Sequence, residues 1–285
     1  MTFAYCVAKL KLSASISATD AKPKNVIRQL STAFRKIQNQ EMNDLKKYKS
    51  EIKVLGFTTI ESIYSTKEVQ KIIDTIDQVD TSKDTFRKSS DLFAIRQFLK
   101  EVPETENLIF NEKLKEIIKE FFGENYFVIK SIYFDKPETS NWYVSYHQDL
   151  TISVDKKLEL ENFGFWTTKQ NQFAVQPPIE ILENIFTIRI HLDDTDENNG
   201  ALNVIEKSHL KKIYRPENID WEIENETTCN VNKGGIMIMK PLILHSSSRT
   251  INNKKRRIIH IEFSDINLPN ELNWSEKLEI KKAVV

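Results

Sequence analysis

Trp142-Tyr143-Val144-Ser145-Tyr146-His147-Gln148-Asp149-Leu150-Thr151-Ile152 is the stretch from which the rest of the chain is read. It has the texture of a strand. Side chains at i and i+2 of a strand point to one face, so His147 and Asp149 stand side by side. An imidazole and a carboxylate on one face supply two of the three ligands of a 2-His-1-carboxylate iron site. A His-x-Asp pair also arises often by chance. What decides is whether the remaining sequence offers a third ligand and a scaffold to hold it.

The chain has 285 residues, 40% of them hydrophobic, enough for one large domain or two small ones. Lys+Arg and Asp+Glu both number 41, so the formal net charge is zero and nothing suggests an electrostatic nucleic-acid binder. Lys254-Lys255-Arg256-Arg257 is a short basic cluster of the kind found in solvated turns. The two cysteines, Cys6 and Cys229, allow neither a disulfide framework nor a cysteine-rich zinc site, and fit a reducing, cytoplasmic setting. No apolar run approaches the roughly 18 residues of a membrane span. The N-terminus, Met1 to Leu10, lacks the charged start and long apolar core of a secretory signal, and its lack of arginine argues against a transit peptide. Only six glycines occur, so each is expected to meet a specific backbone need.

Residues 1–50 read as an N-terminal extension. Val26, Ile27, Leu30, Phe34, Ile37 and Leu45 recur at helical spacing and predict an amphipathic helix packed on the core. Residues 51–285 read as the main domain. Leu55 to Ile60 predicts a strand, and Ser65-Thr66-Lys67-Glu68 is a capping box opening a helix. Asp91 to Val102 reads as a helix ended by Pro103. Asn111 caps another, with Leu114, Ile117, Ile118, Phe121 and Phe122 on one stripe and Gly123 at its end. After Gly123 the texture becomes β-rich. Residues 155–180 read as a long irregular stretch of the sort that forms lids or binding loops. Phe186 to Asp193 alternates apolar and polar residues, and four more strands follow over 201–205, 236–239, 242–247 and 256–263. An α-rich first half and a strand-rich second half predict an all-β core wrapped by helices.

The best third ligand is His245, in Leu242-Ile243-Leu244-His245-Ser246-Ser247-Ser248, after Gly234-Gly235 and a buried strand. Arg256 follows eleven residues on from His245. Other features fall in a fixed order with these: Phe134-Asp135-Lys136-Pro137, Trp142, Leu192-Asp193-Asp194, Glu197-Asn198-Asn199-Gly200-Ala201-Leu202 and Ser208-His209. Taken together, they resemble the phytanoyl-CoA dioxygenase family of Fe(II)/2-oxoglutarate oxygenases, over roughly residues 50–265. The resemblance implies a mainly β fold with flanking helices, built on a double-stranded β-helix (jelly-roll) core.

The resemblance also assigns roles. His147, Asp149 and His245 would bind Fe(II), with 2-oxoglutarate and O2 taking the remaining positions. Arg256 would pair with the far carboxylate of 2-oxoglutarate, which a planar guanidinium suits. Strand alternation puts Arg256 and Arg257 on opposite faces. Ser247, on the face of His245, could add a hydrogen bond to the same carboxylate. Arg189 either touches the co-substrate or substrate from inside the barrel or forms a surface salt bridge. Trp166 and Phe173 in the 155–180 stretch are candidate substrate contacts. His191, His209 and His260 read as structural. The implied reaction hydroxylates an unactivated C–H bond of a small organic metabolite, with succinate and CO2 as co-products. Intact Asp149 argues against halogenation, where related enzymes carry a small residue. The signature of ectoine hydroxylases after the His-x-Asp is absent, as is the Pro-Gly-Ser-His turn common near His209. Desaturation, epimerisation or cyclisation with the same cofactors stays open, as does a non-catalytic jelly-roll binding protein. No nucleic-acid or membrane partner is expected, and a carrier-protein partner or a homodimer is left open.

Overall fold

Local signals set the helices. Ser65 opens α1 (Thr66–Asp77): its hydroxyl accepts from the Glu68 N–H while the Glu68 carboxylate accepts from the Ser65 N–H. Val69, Ile72, Ile73 and Ile76 form its buried face. After α2 (Phe98–Glu101) and α3 (Glu106–Ile109), Asn111 caps α4 (Glu112–Phe122) by accepting from the Leu114 N–H at 2.9 Å. Gly123, at φ 105, ends it in a conformation that a side chain would resist. The computed structural model describes residues 42–80, 86–88, 93–138, 140, 142–169, 172–269 and 271–280. The chain divides into compact units at Met1–Ser50 and Glu51–Val285. Residues 42–54 are helical. The rest of the amphipathic helix expected over 25–49 lies outside the described residues.

The described residues form fifteen strands, given in chain order. They are β1 (Phe57–Ile60), β2 (Phe86–Lys88), β3 (Phe93–Arg96), β4 (Phe127–Lys136), β5 (Val144–His147), β6 (Ile152–Val154), β7 (Gly164–Lys169) and β8 (Gln172–Gln176). After α5 (Ile179–Asn184) come β9 (Phe186–His191), β10 (Leu202–Ile205), β11 (Glu226–Cys229), β12 (Ile236–Met239), β13 (His245–Ser247), β14 (Arg256–Ser264) and β15 (Leu278–Glu279). A large antiparallel sheet has the order β1-β12-β9-β14-β4-β3-β2, with β15 also on β4. A smaller one runs β11-β10-β13-β5, and β6-β8-β7 form a third. The large and small sheets make the jelly roll.

The two faces of the large sheet explain its position. Phe186 on β9 stacks on Phe263 of β14 and on Phe122 of α4, with ring centroids 4.8 and 3.5 Å away, and Phe110 meets Phe263 edge-on. This apolar face is closed by helices, and each buried ring contributes about 2 kcal/mol of transfer free energy. The other face carries Thr187, Arg189 and His191 of β9 with Arg256, His260 and Glu262 of β14, all buried. The polar side of the Phe186–Asp193 alternation is therefore turned into the protein, not to solvent.

Three local expectations are corrected. Phe93–Arg96 is a strand paired with β4, not part of a helix. Left-handed Gln97, at φ 50, separates it from the single turn of α2. The edge of a sheet outweighed a short apolar run that fits either element. Residues 155–180 are not irregular: β7 and β8 form a hairpin on β6. Val175, Ile152 and Val154 bury there with Leu182, Leu242 and Trp274. Finally, the His147 strand stops at His147, and Asp149 lies beyond it in the link to β6.

Candidate metal centre

β5 and β13 pair so that His147 and His245 are register partners, with ring centroids 4.3 Å apart. Asp149 reaches them from outside the ladder, its own N–H held by the Pro241 carbonyl at 3.0 Å. Its carboxylate oxygens lie 3.9 Å from the Nε2 atoms of both histidines. Ligand atoms of all three residues fall within 4.8 Å of one another. His147 Nδ1 sits 2.9 Å from the Ser145 carbonyl, and His245 Nδ1 sits 3.0 Å from that of Ile243. A carbonyl only accepts, so both Nδ1 atoms carry the proton and both Nε2 lone pairs face Asp149. This is the tautomer a metal needs. Burial pushes His245 down to about 4, against the pull of Asp149, so its imidazole is neutral at neutral pH. Burial works to raise Asp149, but His245 and Lys130 outweigh it and hold the carboxyl below its usual range.

Gln148, between the two ligand candidates, points the other way. Its amide donates to the carbonyls of Leu242 and Lys212, and its oxygen accepts from the Tyr214 N–H. It ties the segment leading to His245, the loop at 212–214 and the His147–Asp149 link into one block.

Deeper in the barrel lie three cations. Arg256 donates to the Gly200 carbonyl, and Lys136 donates to that of Ser248 at 2.8 Å. Gly200, at φ 87, makes room: a Cβ there would lie 2.7 Å from the Ser248 oxygen and 3.0 Å from Lys136 Nζ. Arg189 reaches His260 Nδ1 at 3.1 Å. Burial lowers Arg189 to about 10, Arg256 to about 9 and Lys136 to about 8. Neighbouring positive charge depresses Arg256 and Lys136 further. None of the three has a carboxylate partner among the described residues. On the same β9 face, Thr187 Oγ1, Arg189 Nε and His191 Nε2 are buried without a hydrogen-bond partner. Buried cations and unpartnered polar groups in one chamber are costly unless a ligand completes it, and the cations call for an anion. The donor set and the chamber fit a metal with a dicarboxylate beside it.

Arg257 is engaged elsewhere. Its Nε and Nη2 donate to the two Asp193 oxygens at 2.9 and 2.7 Å, and its backbone N–H adds a third bond. Ser247 is buried on β13 beside Val144 of β5. Trp166 and Phe173 pack on the hydrophobic cluster of Val175, Leu182 and Trp274, as side chains that anchor their own hairpin.

His260, read from the sequence as structural, lies beside the His147–Asp149–His245 group together with Glu262 and Lys130, which sequence reading did not single out. His260 and Glu262 come within the same 4.8 Å of Asp149 as a second group of ligand-capable atoms. Lys130 Nζ lies 2.7 Å from Glu262, so positive charge already faces this group. The signal for His260 and Glu262 was the polar alternation in Arg256 to Glu262, which only the fold turns inward.

The fold and the clustered two-histidine, one-carboxylate site together define a jelly-roll protein with the donor set of a non-haem metal centre. The chain belongs to the phytanoyl-CoA dioxygenase family, whose model matches residues 53–258. A "probable alpha-ketoglutarate-dependent hypophosphite dioxygenase" of Stutzerimonas stutzeri is 26% identical over 182 residues. That match covers 58% of this chain and 54% of the relative, so the chain spans about half the relative's length. Among solved structures, the non-heme alpha ketoglutarate dependent epimerase SnoN of nogalamycin biosynthesis superposes with TM-score 0.59 at 13% identity. It covers 78% of this chain and 83% of its own. EctD from S. alaskensis, with 2-oxoglutarate and 5-hydroxyectoine, also gives 0.59, at 14% identity, covering 76% and 75%. At such identities these likenesses speak for the fold.

Proposed function

We propose that this chain is an Fe(II)- and 2-oxoglutarate-dependent dioxygenase that hydroxylates a C–H bond of a small organic molecule. His147, Asp149 and His245 hold the metal, and Arg256 binds the far carboxylate of 2-oxoglutarate. Arg189 and Ser247 contact the same co-substrate. The observation that carries the reading is the convergence of three ligand atoms, with both imidazoles in the metal-binding tautomer, above a chamber of unneutralised cations. Family membership and the S. stutzeri relative's printed description support it. Bound there, iron would supply O2 activation coupled to conversion of 2-oxoglutarate into succinate and CO2.

The residues do the rest. The Ser145 and Ile243 carbonyls keep the two Nε2 lone pairs aimed at one point. Asp149, held ionised, makes that point attractive to a cation. Gly200 lets Arg256 and Lys136 approach where a dicarboxylate's far end would lie. Met237, Met239 and Ile258 are buried on the strands that wall the chamber and exclude water.

Anaerobic titration with Fe(II) and 2-oxoglutarate tests this. A weak visible charge-transfer band is expected for the wild type, lost in His245→Ala and displaced to higher 2-oxoglutarate concentration in Arg256→Ala. No band in the wild type, or a band untouched by either substitution, overturns the assignment. Succinate release against a metabolite panel then searches for the substrate.

A further inference from the structure

The inward face of β4 carries Lys130, Ile132 and Phe134. All three are half-buried, while Ile129, Ser131 and Tyr133 on the outward face are fully buried. Lys130 and Ile132 are the register partners of Glu262 and His260, whose ligand-capable atoms lie within 4.8 Å of Asp149, so the exposed part of this face stands beside the metal group. Lys130 stands in register with Glu262 of β14 and donates to it at 2.7 Å. Among the described residues Glu262 is its one hydrogen-bond partner, and its side chain keeps 23% exposure against 4% for Glu262. An ammonium has three donors, so donors remain for a further partner.

Glu262 cannot turn away from this arrangement. The same carboxylate oxygen meets His260 Nε2 at 3.1 Å, and His260 Nδ1 meets the Arg189 guanidinium at 3.1 Å. Arginine only donates, so His260 Nδ1 accepts and its Nε2–H donates. A chain of hydrogen bonds therefore runs from Arg189 through His260 to Glu262, which receives Lys130 from the other side. It holds the ammonium in place beside Asp149. It also leaves two cations, Arg189 and Lys130, sharing one carboxylate, since Asp149 belongs to the metal group.

We infer that Lys130 is a specificity-determining residue that receives an oxyanion of the substrate, a carboxylate or a phosphorus oxyanion, beside the metal, with Ile132 and Phe134 as the apolar wall for the rest of the molecule. Glu262 and His260 are positioning residues that act through Lys130. This rests on the oxygenase reading of the site and adds the chemical class of its substrate.

The test is calorimetric titration of the metal-free, full-length chain with methylphosphonate and with propionate, using 1-propanol as the neutral control. At least one of the two anions binds the wild type, and which one binds tells a phosphorus oxyanion from a carboxylate. Lys130→Met weakens that binding about tenfold or more, as expected for losing one charge-assisted hydrogen bond. Lys130→Arg keeps it within about threefold. Thermal melts by circular dichroism establish that each variant is folded. No anion binding by the wild type, or equal binding by a folded Lys130→Met, overturns the assignment. The Fe(II)/2-oxoglutarate band is recorded separately on the same proteins. Its absence in the wild type counts against the oxygenase reading alone, because the anion titration contains no metal.

Discussion

Asp193 and Gln148 show how much at the residue scale is spent on holding this site. Asp193 receives three hydrogen bonds from Arg257, and the pair lies on the strand face opposite Arg256. Asp193→Asn should cost about 2 kcal/mol in chemical denaturation, the scale of a largely buried, charge-assisted contact. The Fe(II)/2-oxoglutarate band should survive at pH 7. Gln148 satisfies two carbonyls and one N–H from three separate segments. Gln148→Leu leaves those groups unpaired. It should lower stability by about 1–3 kcal/mol and weaken metal binding as well, measured by denaturant midpoint and by Fe(II) titration. Arg256 and Arg257 adjoin in sequence and differ in everything that matters, because the pleat sends one into the chamber and the other to Asp193.

At the element scale, helix ends were the most legible feature. The Ser65 box and the Asn111 cap are local hydrogen-bond patterns needing no distant partner, and both stand as read. Ser65→Ala should lower stability by about 1 kcal/mol, seen as a drop in denaturation midpoint. The turn before β12 is as demanding. Gly234 sits at φ 85, and a Cβ there would lie 2.4 Å from the Tyr64 carbonyl oxygen. Gly234→Ala should be more damaging than Ser65→Ala, by about 2 kcal/mol or more in the same measurement, combining αL strain with backbone overlap. The elements misread were those decided by pairing. Phe93–Arg96 became a strand because β4 offered an edge, and Gly164–Lys169 and Gln172–Gln176 became paired strands because β6 did. Neither partner is visible in a local window.

For the whole molecule, ligand and proton linkage offer two measurements. Fe(II) with 2-oxoglutarate should raise the melting temperature by mass action, since the site exists only in the folded chain, and His147→Ala or Asp149→Ala should abolish the rise. Glu276 is buried and accepts from the Ser131 N–H and hydroxyl at 2.7 and 2.6 Å. Burial nevertheless raises its carboxyl from an ordinary 4.5 to about 7. Between those values the folded chain holds a proton that the unfolded chain releases. The stabilisation this group contributes is full below pH 4.5 and is lost as pH rises through about 7. Glu276→Gln should flatten that part of the stability–pH curve, measured by thermal melts at several pH values. No helix among the described residues is long and apolar enough to cross a membrane.

By itself the sequence determined the candidate ligands, their order, the helix caps and the arginine following His245, because these are carried by residue identity and short-range spacing. Only the tertiary structure decided which polar face is interior. Alternation along β9 and β14 reads the same whether its polar side meets water or a chamber. Helix α4 covering the aromatic face, and the small sheet covering the other, turned Arg189, His260, Glu262 and Lys130 inward. His147 and Asp149 do come together, but not for the reason that strand spacing suggested. Asp149 meets the histidines not as a strand neighbour but because the Pro241 carbonyl and the Gln148 clamp hold a link that has already left the sheet.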